Sequence, residues 1–185
     1  MKGHKDKLRL IFFLVNKMNK TVKEILSYVL VIGLAIIIKI FIFSPIKVNG
    51  TSMVPTLHDG DIMILNEIGY RINGVKRFDI VVANVNGERL IKRVIGLPGE
   101  TVEFKYNKLY INGSFVEENF EHGDTKDFSL ADISVDKIPE NYYFIVGDNR
   151  GNSKDSRSIG LVHKSKISGK TSLIVFPFSR IGNAK

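Results

Sequence analysis

Residues 25–43 read ILSYVLVIGLAIIIKIFIF, nineteen positions with a single charge, Lys39. As an α-helix this stretch rises about 28 Å, close to the hydrocarbon thickness of a bilayer. Apolar residues fall on every face of such a helix, whereas a helix of a soluble core shows one apolar stripe. The pattern predicts a transmembrane anchor, with Lys39 near its far end snorkelling to the interface. Residues 1–24 hold Lys2, Lys5, Lys7, Arg9, Lys17, Lys20 and Lys23 against Asp6 and Glu24, and only Lys47 follows closely behind the apolar run. The positive-inside rule then predicts a single pass through the cell membrane, residues 1–24 cytoplasmic and residues 44–185 an extracytoplasmic domain. A cleavable signal peptide is the competing reading. The apolar core is too long for one, and Ser44-Pro45 after it is a poor cleavage site. The earlier run 8–15 is too short to span, and the sequence does not decide whether it lies in the interface.

The chain has 185 residues and a net charge of +8. More than half of that excess sits before the apolar run, where anionic headgroups attract it. No basic run interleaved with aromatics marks a nucleic-acid groove, so nucleic acid is not an expected partner. Cysteine is absent, which excludes disulfides, thiolate nucleophiles and cysteine-ligated metals. His4, His58, His122 and His163 are scattered and no HExxH occurs. Neither a metal nor a cofactor is expected.

After Pro45 the periodicity changes from helical to alternating. Short runs rich in β-branched and aromatic residues, bounded by Gly, Asn, Asp or Pro, predict strands at 46–49, 62–66, 80–84, 89–95, 101–106, 108–111, 114–117, 142–146 and 170–176. Asn112-Gly113 is a type I′ hairpin signal, and Asn73-Gly74 and Asn86-Gly87 mark further turns. The expected fold is mostly β, an antiparallel, partly closed sheet domain behind one N-terminal transmembrane helix. Residues 118–138 are polar and acidic and read as a surface insertion.

Three stretches carry candidate chemistry: Gly50-Thr51-Ser52-Met53-Val54-Pro55-Thr56-Leu57, then 89–100, RLIKRVIGLPGE, then 147–157, GDNRGNSKDSR. Each alone is ambiguous. Ser52 fits an ordinary turn, and it lacks the second glycine of a nucleophile elbow. Lys92 fits a solvated strand position, and the third stretch fits a polar turn. Alternation changes the weight on Lys92. Leu90, Lys92 and Val94 share one face of a strand, while Ile91, Arg93 and Ile95 share the other. A half-exposed strand would keep its apolar residues on one face. A lysine in apolar surroundings loses its charged form more easily, which is what a lysine base requires.

Together, in this order and behind an anchor, the three strings resemble the bacterial type I signal peptidases. Lys92 stands where relatives of the endoplasmic reticulum type carry histidine. Gly50 stands where Gram-negative relatives carry a serine that donates to the oxyanion, so the second donor stays open and the Gram-positive type is indicated. The resemblance implies that Ser52 is the nucleophile and Lys92 the general base. It implies that Ser153 hydrogen-bonds the Lys92 ammonium, that an Asp155–Arg157 ion pair fixes the loop carrying Ser153, and that Asp148 and Arg150 add to that network. Met53 would pack beside the nucleophile and exclude water. An exported preprotein's signal peptide would pair as an added strand between 44–52 and 89–92, touching Ile46, Val48, Gly50, Thr51, Leu90 and Ile91, and would be cut after small residues in an A-x-A pattern. The lipid bilayer is the other expected partner. Rival readings are a cytosolic Ser/Lys autoprotease of the LexA type, a non-enzymatic preprotein-binding module, and a hydrolase pairing Ser52 with His58 or His163. The anchor argues against the first, and the presence of both Ser52 and Lys92 against the second. Nothing in the spacing favours the third.

Overall fold

A computed structural model describes residues 19–42 and 44–184, with the backbone alone over 35–42. The chain divides into a helical unit that ends at Ile42 and a β unit after it. Most of the predicted cytoplasmic segment, the run 8–15, Phe43 and the side chain of Lys39 lie outside the described residues.

The helical unit is α1, Lys20–Ile42. Nine of its large apolar side chains, from Val22 to Leu34, are exposed, and they point in all directions around the axis. Among the described residues no helix is long and apolar enough to cross a membrane.

Among the described residues the β unit holds twelve strands. They are β1 (Ser44–Lys47), β2 (Ile62–Asn66), β3 (Ile80–Val85), β4 (Glu88–Gly96), β5 (Val102–Lys105), β6 (Lys108–Ile111), β7 (Ser114–Val116), β8 (Phe128–Ser129), β9 (Tyr142–Val146), β10 (Val162–His163), β11 (Ile167–Phe176) and β12 (Gly182–Asn183). Two short helices, α2 (Glu67–Asn73) and α3 (Ser156–Ile159), interrupt them. The larger sheet runs β1-β2-β11-β3-β4-β9-β10, with β12 added on β11. The smaller runs β7-β6-β5-β8. Every pairing is antiparallel, in line with the expected mostly β fold.

The turns do what their residues dictate. Asn86-Gly87 and Asn112-Gly113 both have φ above zero at each position, the type I′ geometry that matches strand twist and joins β3 to β4 and β6 to β7. Strands 62–66, 108–111 and 142–146 occur at their expected bounds. The nine-residue β4 is the pivot. Its buried face residues feed three separate cores: Ile91 packs with Ile46, Val48, Met53 and Leu57; Ile95 with Phe104 and Phe144; and Val94 with Val81, Tyr143 and Ile145.

Residues 118–138 are not a surface insertion. Phe128-Ser129 pair with β5 as a strand, and Leu130 and Ile138 are buried in the core of the smaller sheet. The Glu118 carboxylate is buried against Arg150. Apolar residues are sparse in this stretch but fall at the positions that face inward, and burial of its charge is compensated by pairing.

Candidate active site

Ser52 sits in the loop that links β1 to β2. The loop is closed at its base, where Val48 N–H donates to Asp61 O at 2.8 Å and Gly60 N–H to Val48 O at 3.0 Å. Asp59 accepts from Gly50 N–H at 2.7 Å and Asp61 from His58 N–H at 2.9 Å. Gly50 has φ +85°, which a side chain would strain. Met53 and Leu57 are one turn apart, joined by Leu57 N–H to Met53 O at 2.9 Å, and both are buried. These two anchors pin the loop from below and leave Ser52 at the surface rim. Met53 follows Ser52 in the loop and is buried.

Lys92 projects from β4 to meet it. Its Nζ lies 2.6 Å from Ser52 Oγ and donates to Ile91 O at 3.0 Å. The side chain is 3% exposed. Burial lowers its pKa from 10.5 to about 8, against the opposing pull of Asp155 and Asp148. No carboxylate pairs with Nζ directly among the described residues, so desolvation wins and the neutral amine is accessible near neutral pH. Neither His58 nor His163 is a hydrogen-bond partner of Ser52. His163 faces Ser165 instead, at 2.8 Å.

The third stretch, 147–157, packs against the loop that carries Ser52. Asn149 N–H donates to Ser52 O at 3.1 Å, its side-chain amide donates to Thr51 O at 3.1 Å, and Asn152 Nδ2 donates to Thr51 Oγ1 at 3.3 Å. These contacts tie the 147–153 turn to the nucleophile loop. Gly147 makes room for it, because a side chain there would run into Ser153 Oγ and Ser52 O. Asn149 was not among the expected site residues. Its place in a Gly-Asp-Asn turn string was the available signal, but such a string reads equally well as a free turn.

Asp155 is fully buried and takes Arg157 in a two-pronged pair, Nε–Oδ1 2.9 Å and Nη2–Oδ2 2.8 Å. It also accepts Gly147 N–H at 3.0 Å and caps α3 through Arg157 N–H. Burial pushes its carboxyl up, but Arg157, the Gly147 N–H and the neighbouring Ser153 hydroxyl outweigh that and hold it below the ordinary value. The pair stands next to Ser153. Ser153 departs from expectation: its Oγ is buried without a hydrogen bond of normal geometry, to Lys92 or to any other group.

Asp148 and Arg150 do not join that pair. Asp148 is fully buried and holds Arg93, Nε–Oδ1 2.9 Å and Nη2–Oδ2 2.6 Å, together with Thr56 Oγ1 at 2.5 Å. Arg93 also donates to Phe78 O at 3.0 Å and stacks 3.9 Å above the Phe120 ring. Arg150 turns the other way, to Glu118 at 2.5 Å and Thr125 at 2.8 Å. Adjacent turn residues diverge, so nearness in sequence did not predict their partners.

A groove of about 650 Å³ leads to the Ser52–Lys92 pair. One wall is Pro45 to Asn49, the other Gly87 to Lys92, and Met53 lies at the floor. Ile46, Val48, Leu90 and Ile91 line it, whereas Gly50 and Thr51 do not. Both walls are open strand edges. β1 ends the larger sheet, and β9 covers β4 only from Arg93 onward. An extended chain laid between them can hydrogen-bond on both sides.

The chain matches the family model described as signal peptidase, peptidase S26, over residues 20–176. It is 40% identical over 166 residues to signal peptidase I of Bacillus amyloliquefaciens, covering 86% of this chain and 90% of that one. It is 39% identical over 175 residues to signal peptidase I S of Bacillus subtilis, covering 90% and 95%. Signal peptidase IB of Staphylococcus aureus is 39% identical over 176 residues, covering 85% and 92%. Among solved structures, a signal peptidase I from Enterococcus faecalis is 39% identical, with a TM-score of 0.48 over 52% of this chain and 95% of that one.

Proposed function

Because the chain belongs to the signal peptidase family, peptidase S26, we propose that it is a membrane-bound serine endopeptidase that removes signal peptides from exported preproteins. The observation that carries the mechanism is the 2.6 Å approach of Lys92 Nζ to Ser52 Oγ in a buried setting that lowers the amine to about 8. Neutral Lys92 takes the Ser52 proton as Oγ attacks the scissile carbonyl. The resulting ammonium gives that proton to the leaving amine, and the acyl-enzyme forms. Lys92, neutral again, then activates the water that releases the acyl group. The Ser52 N–H supplies one oxyanion donor. Gly50 N–H is engaged by Asp59 and is not the second.

The signal peptide lies as an added strand between β1 and β4, in the groove whose edges are open on both sides. Ile46, Val48, Leu90 and Ile91 form shallow apolar walls suited to small side chains, which supports cutting after an A-x-A pattern. Anchoring rests on residues 25–43 and on the all-round exposure of apolar side chains on α1, a surface that water disfavours and lipid does not. The basic residues before it favour an N-terminus on the cytoplasmic side.

The test is cleavage of a synthetic preprotein by the purified full chain in lipid–detergent micelles, with Ser52→Ala beside it. Wild type is expected to release the signal peptide at the A-x-A boundary, and Ser52→Ala none. A folded Ser52→Ala protein that still cuts would overturn the assignment of the nucleophile.

A further inference from the structure

At Asn66 strand β2 ends and the chain turns directly into α2, with the Asn66 side chain accepting Gly69 N–H at 2.6 Å. Tyr70 of this helix is buried and its hydroxyl donates to Lys164 O at 3.1 Å. Gly169 of β11 allows the close packing, since a side chain there would meet Leu65 and the backbone of Asn66 and Glu67. The opposite face carries Ile68 and Ile72, one turn apart, 41% and 76% exposed. Exposed basic residues lie in the same segments: Arg71 on the helix, Lys76 three residues beyond it, and Lys164 and Lys166 in the turn that Tyr70 reaches. Glu67 and Glu140 are the acids of the same segments, so this end of the domain is basic on balance.

The register fixes where this patch lies along the chain's path. Ser44, the first described residue after α1, pairs with Leu65, two residues before α2 begins. Two residues of chain reach at most about 7 Å. If residues 25–43 lie in a bilayer, as proposed above and as this inference requires, Ser44 stays close to the bilayer surface, and the start of α2 with it. The hairpin between β3 and β4 points toward the same end of the sheet, because the ladder advances from Ile80↔Thr171 to Ala83↔Ile167 and on to Val85↔Glu88.

We infer that the Ile68–Ile72 face of α2 rests in the headgroup layer of an anionic membrane, with Arg71, Lys164 and Lys166 set against lipid phosphates. Two apolar side chains on a seven-residue helix do not insert deeply, and these basic residues supply the attraction to anionic lipid. The domain then has a second hold on the membrane besides the anchor. That hold sets the height and tilt of the substrate groove.

The absence of cysteine gives a direct test. A single Cys is introduced at Ile72 (I72C) or at Tyr106 (Y106C), the latter 85% exposed in the β5–β6 turn of the smaller sheet. The full chain is labelled with a solvatochromic dye and reconstituted in vesicles of phosphatidylglycerol with brominated lipid. The dye at 72 is expected to shift to the blue and lose roughly half or more of its emission to bromine quenching, and the dye at 106 to stay water-like. Replacing phosphatidylglycerol by phosphatidylcholine, or Arg71, Lys164 and Lys166 by Glu, is expected to remove most of the quenching at 72. A water-like dye at 72, equal quenching at both positions, or quenching indifferent to lipid charge overturns the proposal. Alkaline carbonate extraction of the same vesicles reports separately on the anchor: a chain that extracts sinks the transmembrane reading, and the quenching comparison still decides the patch.

Discussion

On β4 two buried cations stand side by side and are handled in opposite ways. Arg93 faces a carboxylate: Asp148 grips it with two hydrogen bonds, Thr56 and the Phe78 carbonyl complete the shell, and Phe120 covers the guanidinium. Lys92, one residue earlier and just as buried, faces a hydroxyl and a carbonyl and no carboxylate. The difference separates two uses of the same expensive act. A buried charge with a matched partner is a structural joint, here linking β4 to the 147–153 turn. A buried amine without one gives up its proton more easily, which suits it to serve as a base. The drop from 10.5 to about 8 corresponds to about 3 kcal/mol set against the charged form.

The largest effect should come from removing proton acceptance at residue 92. Lys92→Ala and Lys92→Arg are both expected to be folded and to lose activity by on the order of 10²–10⁴-fold, since general-base catalysis contributes about that much. Arginine keeps the charge but cannot accept a proton, so a near-normal kcat/KM for the arginine variant would show that Lys92 acts only as a charge. In wild type, kcat/KM should rise about tenfold per pH unit below about 8 and level off above it.

Breaking the other half of the comparison should cost stability. Asp148→Ala leaves Arg93 buried without its partner, and unfolding should become easier by about 3–5 kcal/mol. A loss below about 1 kcal/mol, the range of an exposed pair, would mean that the joint is redundant. Unfolding midpoints in urea decide this.

The smallest effect has the opposite sign. Lys92→Met removes a residue whose charged form is penalised in the fold. Between pH 8 and 10.5 the unfolded chain holds the Lys92 proton and the folded chain does not, so wild-type stability rises with pH across that window. Below about 8 both states hold the proton and the full cost applies. The methionine variant should therefore be more stable than wild type by up to about 3 kcal/mol at pH 7, with the gain shrinking above pH 8 and gone above 10.5. A gain that is constant with pH would assign it to packing rather than to the buried amine.

The strand pattern was legible because it rests on local information: Asn-Gly pairs mark the hairpins, and alternation on β4 marks Lys92 as a cation with apolar neighbours on its own face. Nothing local pairs Lys92 with Ser52, 40 residues away; that expectation came from the resemblance alone. What escaped depends on contacts distant in sequence. Arg150 was grouped with Asp155 because they share a string, but its partner Glu118 lies 32 residues upstream. Stretch 118–138 read as surface because its polar residues outnumber its apolar ones, although Leu130 and Ile138 face the core. The helix Glu67–Asn73 is too short for a periodic signal and is held by Tyr70 reaching Lys164. Ser153, expected on Lys92, shows that a shared motif sets which residues gather more firmly than which atoms bond.

The open edges of β1 and β4 carry a hazard of their own. Unpaired strand edges template the addition of any extended chain, including the same edge of another copy, and that is a route to aggregation. Lys47 and Arg89 project beside these edges, with Glu88 and Lys154 paired at 3.1 Å near the mouth. Two copies docking edge to edge would set Lys47 and Arg89 of one against cations of the other. Charges beside the groove in this way guard its open edges against becoming the seed of a fibril.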